Sequence, residues 1–157
     1  MTEYANPGVS KNVRASEDAG QLTYNRFTFD FAASYAPATF TNASSDRIQV
    51  GEVPAGEVLV PHLCRMDIPE LDTAGSPTGD YSLGIAGAAA SLRASAASET
   101  PVVLTGEDFL VPATPIGARD VPTPIYLSAV AAHATIAATG VLVFEQVTRP
   151  YDVTIDG

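Results

Sequence analysis

Residues 53–85, VPAGEVLVPHLCRMDIPELDTAGSPTGDYSLGI, constrain the fold more than any other stretch. A Pro-Ala-Gly turn opens an apolar run, an acidic loop rich in Pro and Gly follows, and a second apolar run closes it. Short apolar runs between turn signals read as strands. The segment therefore predicts two strands around a long loop, and it holds few of the side chains that catalysis uses.

The same grammar covers the rest of the chain. Residues 22–31 alternate, with Phe27, Phe29 and Phe31 on one side and Arg26, Thr28 and Asp30 on the other, as a half-buried strand requires. Residues 32–45 read as a loop that Phe40 could pin, and residues 47–53 as a strand. Residues 57–66 are apolar on both faces and read as a central strand, although Pro61 gives no ladder donor and argues for an edge or bulge. Further strands are expected at residues 81–85, 102–105, 125–132 and 141–148, the last two joined through residues 133–140. Residues 86–98, AGAAASLRASAAS, are the one candidate helix, favoured by alanine and anchored by Leu92 alone. Four prolines keep residues 106–124 out of regular helix and central strand. The sum is a mainly β protein: an antiparallel β-sandwich or jelly-roll-like domain over residues 21–157, with one short Ala-rich helix. Residues 1–20 lack a hydrophobic period and read as an extended N-terminal arm.

Composition removes whole classes of function. At 157 residues the chain can bury a core without metal or disulfide. Eighteen acids against eight bases leave a net charge of -10, which disfavours nucleic acid, because phosphate binding needs clustered Lys and Arg. No uncharged apolar run reaches the roughly 18 residues that span a bilayer, so no membrane partner is expected. Cys64 is the only cysteine, which excludes an internal disulfide and points to a reducing compartment, the cytoplasm of the cell that makes the protein. Nothing near Met1 resembles a secretory signal, and the sequon Asn42-Ala43-Ser44 is read as chance.

Candidate chemistry is sparse. Asp67, Glu70, Asp72 and Asp80 are the best metal candidates, since calcium takes several oxygens from flexible loops, but their spacing fits no EF-hand, and a solvated acidic loop is the stronger reading. His62 and Cys64 would share a strand face and begin a zinc site only if His133 or a carboxylate joined them. Cys64 as a nucleophile would need one of those histidines beside it. No GxSxG elbow, P-loop or dinucleotide fingerprint occurs, and Lys11 is the sole lysine. No cofactor and no enzymatic activity are expected.

The order of elements over residues 22–147 resembles the head decoration, or cement, proteins of tailed bacteriophages. The residues that carry the resemblance are Val53-Pro-Ala-Gly-Glu-Val-Leu-Val, the acidic stretch closing on Gly79-Asp-Tyr-Ser-Leu-Gly-Ile, the alanine-rich segment after it, and Gly140-Val-Leu-Val-Phe-Glu-Gln-Val. The resemblance implies a virion protein on the capsid surface, often a homotrimer, that bridges major capsid protein subunits, and it transfers no catalytic residue. Expected partner contacts are Tyr4, Val9, Lys11, Val13 and Arg14 of the arm, with Phe109 and Ile116 of the proline loop. Two rivals stand beside it: a head–tail connector or tail structural subunit, and a host-binding adhesin displayed on the head.

Overall fold

Alternation in residues 22–31 becomes a long strand whose phenylalanines turn inward, with Phe29 and Phe31 fully buried and Phe27 partly so against the same core. The computed structural model describes residues 3–5, 11–14, 22–40 and 46–151, the second stretch by its backbone alone. Within them lie twelve strands: β1 (Glu3–Tyr4), β2 (Lys11–Arg14), β3 (Thr23–Asp30), β4 (Arg47–Val53), β5 (Glu57–Leu59), β6 (Arg65–Ile68), β7 (Asp80–Ile85), β8 (Ala88–Ala97), β9 (Val102–Thr105), β10 (Gly117–Ala118), β11 (Thr123–Ala131) and β12 (Val141–Pro150). Two single 3-10 turns, Pro61–Leu63 and Gly106–Asp108, complete the set.

The strands form two sheets. One runs β1-β4-β11-β7-β8; the other runs β10-β5-β12-β3-β2, with β6 beside β12 and β9 beside β6. Every pairing is antiparallel except that of β1 on β4. Ile48, Leu83, Ile125 and Leu127 from the first sheet meet Phe29, Leu142, Phe144 and Met66 from the second in one apolar core. Burial of each such side chain contributes about 1.5–3 kcal/mol. The expected antiparallel β-sandwich is the observed architecture.

Two expectations need correction. Residues 86–98 are not a helix: β8 pairs with β7 through a two-residue turn, Ala86-Gly87, in which Gly87 adopts a positive φ of 80°. A helix there would present one large apolar side chain, Leu92, and have no wide stripe to bury, whereas the strand takes ladder bonds from β7 and still sinks Leu92 into the core. Tertiary pairing overrides alanine's helix propensity. Residues 57–66 are likewise not one continuous strand. Pro61 opens a 3-10 turn that breaks the run into β5 and β6, and both halves lie along the same side of β12.

The two described stretches of residues 1–20 lie on the chain's own sheets, β1 against β4 and β2 against β3. β1 is pinned by Glu3, whose carboxylate accepts a hydrogen bond from Arg47 Nη2 at 2.9 Å, while the Arg47 guanidinium stacks 3.8 Å over the Tyr126 ring.

Candidate interaction surface

The acidic loop does not gather its carboxylates. Asp67 pairs with Arg65 at 3.1 Å across the surface of β6, Glu70 is exposed, and Asp80 opens β7. Asp72 alone is fully buried, and it serves as a staple. Its Oδ1 accepts hydrogen bonds from the backbone N–H groups of Ala74 and Thr135, and its Oδ2 from those of Thr78, Gly79 and Ala134. Burial by itself would raise this carboxyl's pKa, but the backbone donors from Ala134, Thr78, Thr135 and Gly79 outweigh it and hold the group well below the usual carboxylate range. An acid that accepts five N–H bonds has its lone pairs committed to the protein. Among the described residues, no three His, Cys, Asp or Glu side chains stand together as a metal site would require.

Beside the staple, His133 Nε2 lies 2.7 Å from Ser98 Oγ, and the imidazole packs against Phe40 with ring centroids 4.9 Å apart. Phe40 thus does pin its loop. Gly79 runs beneath the imidazole so closely that a Cβ there would meet the ring at 2.5 Å. Ser, His and Asp together have the composition of a nucleophile triad, but the geometry differs from one. Asp72 spends both oxygens on backbone, His133 Nδ1 has no hydrogen-bond partner among the described residues, and Ser98 is fully buried. Desolvation lowers the His133 pKa against the opposing pull of Asp72 and Asp80, which keeps the ring neutral in its packed site. The cluster is a joint that ties residues 71–79, 98 and 133–137 together.

His62 and Cys64 do not share a strand face, because the 3-10 turn leaves His62 exposed while Cys64 is 3 % exposed. Cys64 Sγ accepts from Val147 N–H at 3.4 Å, and burial pushes its pKa up to about 12, so at neutral pH it is a packed thiol with little thiolate. His133, the third candidate ligand, is committed to Ser98.

Of the expected contact residues, Tyr4 is half-buried and its hydroxyl reaches Thr39 O at 3.5 Å. Val9 lies outside the described residues, and so do the side chains of Lys11, Val13 and Arg14. Phe109 and Ile116 are core residues, 5 % and 2 % exposed, which corrects their reading as surface contacts. Phe109 points inward to within 6.2 Å of the Phe144 ring, and Ile116 O accepts from Leu59 N–H at 2.8 Å. These two plugs give the loop its shape. Residues 106–112 form a strap that leaves β9 at the edge of one sheet and reaches β8 at the edge of the other, where Leu110 N–H bonds Leu92 O at 2.7 Å. With Phe109 inside, Leu110 and Val111 face outward, 48 % and 75 % exposed. Further along the same loop, Val121 is also exposed. Phe109 is buried and the two residues after it are both exposed, so no simple period marks this loop in the sequence.

A second feature lies at the corner where β10, β5 and β12 end. Val58, Thr114, Pro115, Gly117, Arg149 and Tyr151 line an open hollow of about 280 Å³, and Arg119 stacks over the Tyr151 ring at 5.2 Å. No sequence motif marked this corner, because its residues come from three separate segments.

No protein-family model and no curated protein matches the chain. Two solved structures share its fold. A chain in the capsid asymmetric unit of cyanophage Pam1 is 20 % identical, with a TM-score of 0.53 over 88 % of this chain and 91 % of that one. A chain in the capsid of Ralstonia phage GP4 is 18 % identical, with a TM-score of 0.54 over 88 % and 90 %. The β-sandwich described above is therefore a fold found in the capsids of two phages.

Proposed function

We propose that this chain is a virion structural protein of a tailed bacteriophage, a decoration or cement protein that binds the outside of the head and bridges major capsid protein subunits. The observation that carries the reading is the likeness, over nearly the full length of both partners, to chains from two phage capsids. The features of the molecule agree with it. Two long loops are fastened by an interior staple and interior plugs, Leu110, Val111 and Val121 are exposed on one of them, and Asp72 and Cys64 are used for structure. Specific attachment needs an interface on the order of 1,000 Å² or more. Several weak contacts suffice when a trimer engages several capsid subunits at once, because the later contacts are effectively intramolecular. In this reading Leu110, Val111 and Val121 belong to the capsid-facing surface, residues 1–20 add contact along a neighbour, and the protein is made in the host cytoplasm before joining the head.

Locating the chain in a particle reconstruction tests the reading. Many copies spread over the outer surface of the head are expected. A single ring at the portal vertex would replace it with the connector reading, and binding of the purified protein to host cells would favour an adhesin.

A further inference from the structure

We propose that Asn25, Gln146 and Thr148 enclose a site for internal water between the two sheets. Along the inward side of β3, Phe29 and Phe27 are continued by Asn25 and Thr23, and along β12, Leu142 and Phe144 are continued by Gln146 and Thr148. A side-chain period of two keeps each set on one face. The register sets them side by side, Asn25 across from Gln146 and Thr23 across from Thr148. The interior of the sandwich thus changes from apolar to polar at this end, and it does so out of reach of solvent, since Asn25, Gln146 and Thr148 are each 0 % exposed.

Polar groups buried to that degree are almost always hydrogen-bonded. Gln146 Nε2 is, donating to Glu52 O of β4 at 2.9 Å, and that bond also fixes which way its Oε1 faces. Asn25 Oδ1 and Nδ2, Gln146 Oε1 and Thr148 Oγ1 have no partner among the described residues. Gly51 of β4 leaves room beside them, because a Cβ there would stand 3.0 Å from Gln146 Oε1. The donor set selects the ligand. Two carboxamide oxygens repel an anion, the Nδ2 hydrogens repel a cation, and the hydroxyl serves in either role. What suits all of them is a small neutral molecule that donates and accepts, and a buried water makes about three such bonds. Water held here joins β3 to β12 and, through Gln146, to β4, doing by hydrogen bonds what the phenylalanines do by burial.

The full chain tests this with no capsid present, so the result is independent of the capsid reading. A crystal structure at high resolution should show an ordered oxygen within hydrogen-bond distance of Asn25 and of Gln146 or Thr148. In solution, nuclear Overhauser transfer from water to the Asn25 side-chain amide protons should carry the sign of a long-lived water. Thr148→Val keeps the shape and removes the hydroxyl, so that transfer should fall about twofold or more, and Asn25→Leu should abolish the ordered oxygen. The wild-type readings and Thr148→Val decide the matter even where Asn25→Leu does not fold. A direct hydrogen bond from Asn25 to Gln146, or to Asn12, its register partner on β2, with no ordered oxygen beside it would overturn the proposal. So would transfer of the sign given by surface water, or a Thr148→Val chain in which it is undiminished.

Discussion

Residues 69–79 and 106–116 are both long irregular segments, and they are fastened by opposite means. The first is held by one buried carboxylate that collects five backbone N–H groups. The second is held by two apolar plugs, Phe109 and Ile116, with a few backbone bonds to β8 and β5. A polar staple satisfies donors that turns would otherwise leave orphaned in the interior, and it makes the loop sensitive to acid. An apolar plug carries no charge, so its own contribution does not vary with pH, and with Phe109 inside, Leu110 and Val111 are left facing outward. The stapled loop is therefore a joint, and the plugged loop leaves two aliphatic side chains exposed.

The largest expected effect tests the staple. Asp72→Ala strands several buried donors at about 1–3 kcal/mol each, and even with partial rehydration should cost on the order of 5 kcal/mol in denaturant unfolding. A loss below about 1 kcal/mol would mean that the loops find other partners. Phe109→Ala comes next, at about 3–5 kcal/mol from lost transfer and the cavity beside Phe144. Its signature is a loss that does not vary with pH, which distinguishes plug from staple.

Acid titration sharpens the contrast. Because the folded-state pKa of Asp72 is depressed, its stabilisation is intact above about pH 4 and drains away as pH falls below that, where the unfolded chain takes up the proton first. His133 acts earlier. Its folded-state pKa is lowered, so the unfolded chain binds a proton first as pH drops through about 6.5, and stability declines from there. Unfolding free energies from pH 8 to pH 2 should show both limbs in the wild type, and a flattened lower limb in Asp72→Asn. The smallest effects lie on the exposed side of the plugged loop: Val111→Ser should change stability by no more than about 0.5 kcal/mol, although Ile116→Val, buried in the same loop, should cost about 1 kcal/mol.

Strands with a plain period or a clear turn at each end were legible in the sequence. The strand expected at residues 47–53 is β4 (Arg47–Val53), and that at 102–105 is β9 (Val102–Thr105). β8 was not legible, because alanine favours helix locally and only pairing with β7 alongside overrides that preference. β10 is two residues long and exists only because β5 lies beside it. Asp72 looked like one of four equivalent loop acids. Nothing local distinguishes a carboxylate that meets the N–H groups of residues 134 and 135, some sixty positions away, from one that meets water. Phe109 and Ile116 were recognised as important apolar residues of the loop but assigned to the wrong side of the surface, since an aliphatic or aromatic residue among prolines does not state which way it faces.

Alternation and turn residues were enough to define a β-sandwich, because those signals act between residues a few positions apart. Which acid is buried, which side chains the strap leaves exposed, and where Arg119 meets Tyr151 were settled only by folding. Each of those outcomes depends on contacts between segments far apart in the chain, and the energies of burial and pairing that decide them appear only when the two sheets close on each other.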